Sequence, residues 1–181
     1  MSSQTPDSVR LSPNYWPRLT LGVTTSILLH EAGHVATSFA VGGHPSFGFD
    51  DLRPTIFSGI DSHLEPRKQF YFSISGLVVQ SLLNEGILDV PHQRGGAFER
   101  GLLAGGIGTT VFYLTIGRRG SVSDVDFIAR TRVMNKTQVT LLFGTIAATQ
   151  VWRMSRDSSY GYFFARPRVD GAFDFGWSSG R

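Results

Sequence analysis

Between Leu19 and Val41 the chain is apolar apart from three ionisable residues, which sit together as His30-Glu31-Ala32-Gly33-His34. Groups that lose heavily on leaving water cannot stand singly in such a segment; they need one another or an ion. An α-helix meets that need. Positions four apart lie one turn above each other on the same face, so His30 and His34 can turn their imidazoles to one point. Glu31 is rotated from that face by one residue step, close enough to reach a water at the same point without being a ligand. Two imidazole nitrogens at this spacing suit Zn2+, and the carboxylate suits a general base acting on water. With five His and four Glu in 181 residues, chance is a weak account of the pattern.

Composition narrows the chemistry further. The chain has no cysteine, which removes disulfides and thiolate ligands and leaves His and carboxylates to hold any metal. Its formal charge is +3, with basic residues scattered rather than gathered on one face, so nucleic acid is not expected as a partner. The length suits one domain.

Met1 to Arg18 is polar, contains Pro6, Pro13 and Pro17, and lacks the apolar core of a secretory signal; it reads as a mobile N-terminal arm. Leu19 to Val41 is long enough to cross a hydrocarbon layer of about 30 Å as a helix, and Gly42-Gly43 closes it. Further apolar runs follow at Gln69 to Leu88, Gly101 to Gly117 and Val139 to Val151, the last two short. The expected fold is therefore mainly α: a polytopic helical membrane protein with about four apolar helices over residues 19–152, multi-pass in a lipid bilayer. Alternation in Ser46-Phe47-Gly48-Phe49 and Thr55-Ile56-Phe57-Ser58-Gly59-Ile60 predicts a short β-hairpin between the first two helices. Residues 153–181, rich in Gly, Ser and aromatics without a period, read as a flexible tail. The competing reading is a soluble helical metalloprotein whose apolar runs form its core.

Other residues bear on the site. Gln80 and Asn84 share a helix face; such amides bond a neighbouring helix, or one of them faces the metal and donates to a developing oxyanion. Gly101 and Gly105 form a small-xxx-small pair suited to close helix approach. Ser121-Val122-Ser123-Asp124-Val125-Asp126 reads as a helix start. Asp124 and Asp126 are the strongest candidates for a third, oxygen ligand, and equally could serve only to cap that helix. His44 and His63 lie in the connector after the first run and are weaker candidates.

A metal motif in the first apolar run, an amide in the next and an acid much later resemble the site-2 protease family of intramembrane zinc metalloproteases. His30-Glu31-Ala32-Gly33-His34 matches that family's first motif, including the Gly before the second His. Gly76-Leu77-Val78-Val79-Gln80 resembles its Gly-xxx-Asn element with Gln in place of Asn, and Ser123-Asp124 resembles its ligating acid, without the Leu-Asp-Gly form. The resemblance spans about residues 19 to 130. It implies zinc held by His30, His34 and Asp124, with Glu31 activating water and Gln80 steadying the oxyanion. The implied activity is endopeptidase cleavage in or near a membrane segment of a protein or peptide substrate. A zinc-binding membrane scaffold without proteolysis is the alternative.

Overall fold

The computed structural model describes residues 13–50, 53–117, 123–160, 162–167 and 173–178. Five α-helices dominate these residues: α1 (Tyr15–Ala40), α2 (Pro66–Asp89), α3 (Ala97–Leu114), the short α4 (Asp124–Arg130) and α5 (Lys136–Arg156). Two antiparallel hairpins complete the fold, β1 (Ser46–Asp50) with β2 (Arg53–Phe57), and β3 (Tyr162–Pro167) with β4 (Phe173–Ser178). The first lies where the alternation predicts it, in a register that pairs Ser46 with Phe57 and Gly48 with Thr55.

The helical content agrees with expectation, but the membrane-spanning part of the fold does not. Among the described residues no helix is long and apolar enough to cross a membrane. This overturns both the polytopic membrane fold and the multi-pass location. The physical reason is that a scarcity of charge is not the same as apolarity. At 26 residues α1 has the length, yet Thr20, Thr24, Thr25, Ser26, Thr37 and Ser38 dilute it beside the metal motif. The second helix opens on Pro66-Arg67-Lys68 and carries Ser73, Ser75, Gln80 and Asn84 on its buried side. The third takes in Glu99 and Arg100, and the fifth is bounded by Lys136 and Arg156.

The ends of the chain differ from expectation too. α1 begins at Tyr15, inside the stretch read as an arm. In the stretch read as a flexible tail, α5 continues to Arg156 and the β3–β4 hairpin follows, pairing Tyr162 with Ser178 through to Pro167 with Phe173. Of the predicted helix start, Ser121 lies outside the described residues, while α4 begins directly after Ser123.

Helices α1 and α3 pack most intimately, and glycine is the reason. A Cβ on Gly22 would come within 2.1 Å of the Phe98 carbonyl oxygen, and one on Gly101 within 2.1 Å of the Leu19 carbonyl oxygen. Gly105 lies against Ser26 in the same seam. The small-residue pair thus does what its spacing predicts, bringing two backbones into direct contact. On the other side, Leu77, Leu114, Val125, Ile128, Val139 and Phe143 form a core joining α2, α3, α4 and α5. The cap of α5 is a reciprocal one, Asn135 accepting from the Gln138 backbone N–H while the Gln138 side chain accepts from the Asn135 N–H.

Glycine substitutions separate close packing from helix propensity. Gly101→Ala is expected to lose about 1–3 kcal/mol because its methyl has no room. Gly86→Ala, where a Cβ meets nothing within 4 Å, is expected to be neutral or to gain up to about 1 kcal/mol. Thermal unfolding of the two variants checks this; equal melting temperatures would contradict the packing account.

Candidate metal centre

One turn of α1 places His30 and His34 on its buried face, 1 % and 4 % exposed. Opposite them stands Asp124, the first residue of α4. The three side chains converge on their tips. Nε2 of His30 lies 3.1 Å from Nε2 of His34 and 3.1 Å from Oδ2 of Asp124, which is 3.3 Å from Nε2 of His34.

The backs of both rings are tied down. Nδ1 of His34 donates to the Phe72 carbonyl oxygen at 2.7 Å, with the Ser75 hydroxyl also near it at 3.3 Å. Because a carbonyl can only accept, that bond puts the proton on Nδ1 and leaves a lone pair on Nε2 of the neutral ring. Nδ1 of His30 donates to Oε1 of Gln80 at 3.0 Å, with the same consequence. Gln80 is fully buried, and its Nε2 donates to the carbonyl and hydroxyl oxygens of Ser26. Its N–H groups are therefore turned into α1. The side chain expected to donate to an oxyanion is placed instead as the group that orients His30.

The α2 face makes this possible. Phe72, Gly76, Gln80 and Asn84 recur every four residues and are all buried. Gly76 supplies the hollow in which the imidazoles sit: a Cβ there would lie 2.5 Å from Nε2 of His30 and 2.6 Å from Nε2 of His34. Asn84, one turn on, donates to Gln150 of α5 at 3.0 Å and takes no part in the site. Tyr113 of α3 stacks on His30, with ring centroids 5.3 Å apart and planes 9° from parallel.

Between the two candidate acids the structure is unambiguous. Asp126 pairs with Arg130 and Lys136 on the far side of α4, whereas Asp124 faces the histidines. A seven-residue helix has little stability of its own. Val125 and Ile128, each fully buried in the core, hold it in place and so fix the position of Asp124. His44 and His63 are exposed and stand outside the cluster. Glu31 is half-buried beside it; its negative charge acts on His34, but among the described residues it makes no hydrogen bond or ion pair.

Charge at the cluster is strongly coupled. Burial disfavours the His34 imidazolium, but the Asp124 carboxylate, through charge and hydrogen bond, together with the Phe72 carbonyl, overcomes that and raises its pKa to about 9. Asp124 is likewise held below the usual carboxylate range, its burial outweighed by His34 and His30.

The donor set fits a divalent metal. His30, His34 and Asp124 are the group of His and acidic residues among the described ones whose ligand atoms are close enough to share an ion. Ligands at about 2.0–2.1 Å from a tetrahedral zinc ion lie about 3.3 Å from one another, close to the spacing found here. Two nitrogen lone pairs and one carboxylate match a three-ligand site with a fourth position left over. No family model, curated protein or solved structure matches the chain at a significant level, so this geometry carries the functional argument.

Gly76→Ala is expected to abolish metal binding while the chain still folds, as read by elemental analysis beside circular dichroism. Ile128→Ala is expected to cost about 2–5 kcal/mol of stability and to weaken metal binding by loosening Asp124. A metal must also displace the proton from His34, so affinity for zinc is expected to rise with pH and level off above about 9. In the metal-free chain the ion pair stabilises fully only between the ordinary carboxylate and histidine values, about pH 3.8 to 6.5; its contribution is lost as pH climbs through about 9, and again in strong acid as Asp124 takes up a proton. Calorimetric zinc titration and thermal unfolding across that range check both; a pH-independent affinity would contradict the coupling.

Proposed function

We propose that the chain is a zinc-dependent peptide hydrolase, with His30, His34 and Asp124 holding the ion and Glu31 as general base. The observation that carries this reading is the pairing of a three-ligand cluster with a carboxylate that has no hydrogen bond or ion pair among the described residues. A carboxylate beside buried histidines and committed to none of them is free to take a proton. Zinc, when bound, lowers the pKa of water and polarises a carbonyl.

The rest is done by the chain. Glu31 accepts the proton of the attacking water on a carboxylate oxygen and returns it to the departing amine nitrogen. Gln80 and the Phe72 carbonyl keep both Nδ1 atoms protonated, and therefore both Nε2 atoms available, throughout. Such partners behind the ligands typically affect metal affinity by about 10–100-fold. The substrate is a polypeptide, and the likeness of the His30–His34 motif, Gly76-xxx-Gln80 and Ser123-Asp124 to the site-2 proteases supports that choice.

The deciding comparison is wild type, His34→Ala and Glu31→Gln, assayed for zinc by elemental analysis and for cleavage of a quenched-fluorescent peptide library. Wild type should hold about one zinc and cleave. His34→Ala should lose the metal. Glu31→Gln should keep it and lose about 10²–10⁴-fold in rate. Zinc retained without cleavage by wild type would make the metal structural and overturn the hydrolase reading.

A further inference from the structure

Beside the metal centre a cavity of about 330 Å3 opens between α1 and α3. Its walls are Ile27 and Glu31 on α1 and Gly108, Thr109, Phe112 and Tyr113 on α3, with His30 also lining it. We propose that this cavity receives a bulky apolar side chain, aliphatic or aromatic, from the residue flanking the bond that is cut. The proposal rests on the hydrolase reading and adds the class of residue selected.

Five observations support it. The cavity shares Glu31 and His30 with the site, so a side chain seated there sets its own peptide group beside the base. Its other walls, Thr109 apart, offer hydrocarbon and aromatic surface, which favours apolar occupants. Glu31 would repel an acidic side chain, and a basic one would pair with it and remove the proton acceptor. Ile27 and Phe112 are each 44 % exposed in the free chain, so an occupant would cover apolar surface now facing water.

The fifth observation is the gap itself. A Cβ on Gly108 would meet nothing within 4 Å, in contrast to Gly101 and Gly105 on the same helix. Close packing explains those two; it does not explain Gly108. Its missing side chain leaves open the volume that an incoming leucine or phenylalanine would fill. The same openness makes the position a clean probe, since a larger residue there obstructs the cavity without pressing on the fold.

The test uses small zinc-directed ligands and needs no cleavage. Glycine, leucine and phenylalanine hydroxamates are titrated calorimetrically into zinc-loaded wild type, Gly108→Ala and Gly108→Leu, with zinc content measured for each. Wild type is expected to bind the leucine and phenylalanine compounds at least about tenfold tighter than the glycine one, as for extra methylenes in an apolar pocket. Gly108→Leu should keep its zinc and bring that ratio near one, with Gly108→Ala between. A flat series in wild type, or full preference retained in Gly108→Leu, overturns the proposal. Preference without peptide cleavage by wild type would keep the pocket and discard the hydrolase reading. Cleavage with a flat series would do the reverse, and a chain that holds no zinc overturns both.

Discussion

His30 and His34 could serve a metal only because something stands behind each of them. Nδ1 of one faces the Gln80 amide oxygen and Nδ1 of the other faces the Phe72 carbonyl. Without these acceptors either imidazole could carry its proton on Nε2, and the lone pair would point away from the cluster. Phe72, Gly76 and Gln80 of α2 serve that end. They recur every four residues, provide a carbonyl, a Cβ-free hollow and an amide in sequence, and run alongside the turn of α1 that bears the histidines.

The electrostatics follow from the same closeness. Three ionisable groups share a volume largely removed from water, and each would be costly there alone. In the metal-free state the Asp124 carboxylate and the His34 imidazolium offset one another's burial. A divalent ion bound in that volume would take the place of the proton on His34 as the partner of the carboxylate, and proton release would then link the two states. Glu31 stands apart from this exchange, near enough to act through its charge but bound to none of the three.

Scaffold and site are joined through two kinds of packing. The glycine seam of Gly22, Gly101 and Gly105 draws α3 against α1 closely enough to lay Tyr113 over His30 and to shape the cavity beside Glu31. The apolar core around Val125 and Ile128 holds the short helix that starts at Asp124. Polar groups are gathered inward, with Ser26, Gln80, Asn84 and Gln150 buried, while Leu21, Leu28, Phe39, Leu82 and Leu141 are exposed. Hydrogen bonds between helices thus hold much of the interior, with a compact apolar core on the side of α4 and α5.

The spacing of His30, Glu31 and His34 alone determined that one helix face could bind an ion, because a helical turn is a local property of the backbone. Local rules also placed the first hairpin, the close-approach pair Gly101 and Gly105 though not its partner helix, and the start of α4 at Ser123-Asp124. Choosing Asp124 over Asp126 was beyond them: both begin the same helix, and only the buried Val125 and Ile128 decide which acid faces inward. Gln80 was visible as a significant amide, but its role depended on what lay opposite, which proved to be the back of His30 rather than a substrate. The membrane fold was read from runs poor in charge, and it failed because the Ser, Thr, Gln and Asn inside those runs make them too polar to cross a membrane; Gln80 with Ser26, and Asn84 with Gln150, bond across helix interfaces instead. Tyr113 and the cavity at Gly108 left no local signal, since they reach the site through the crossing of α1 with α3. Contacts between residues far apart in the chain are a property of packing, and tertiary structure alone decided them.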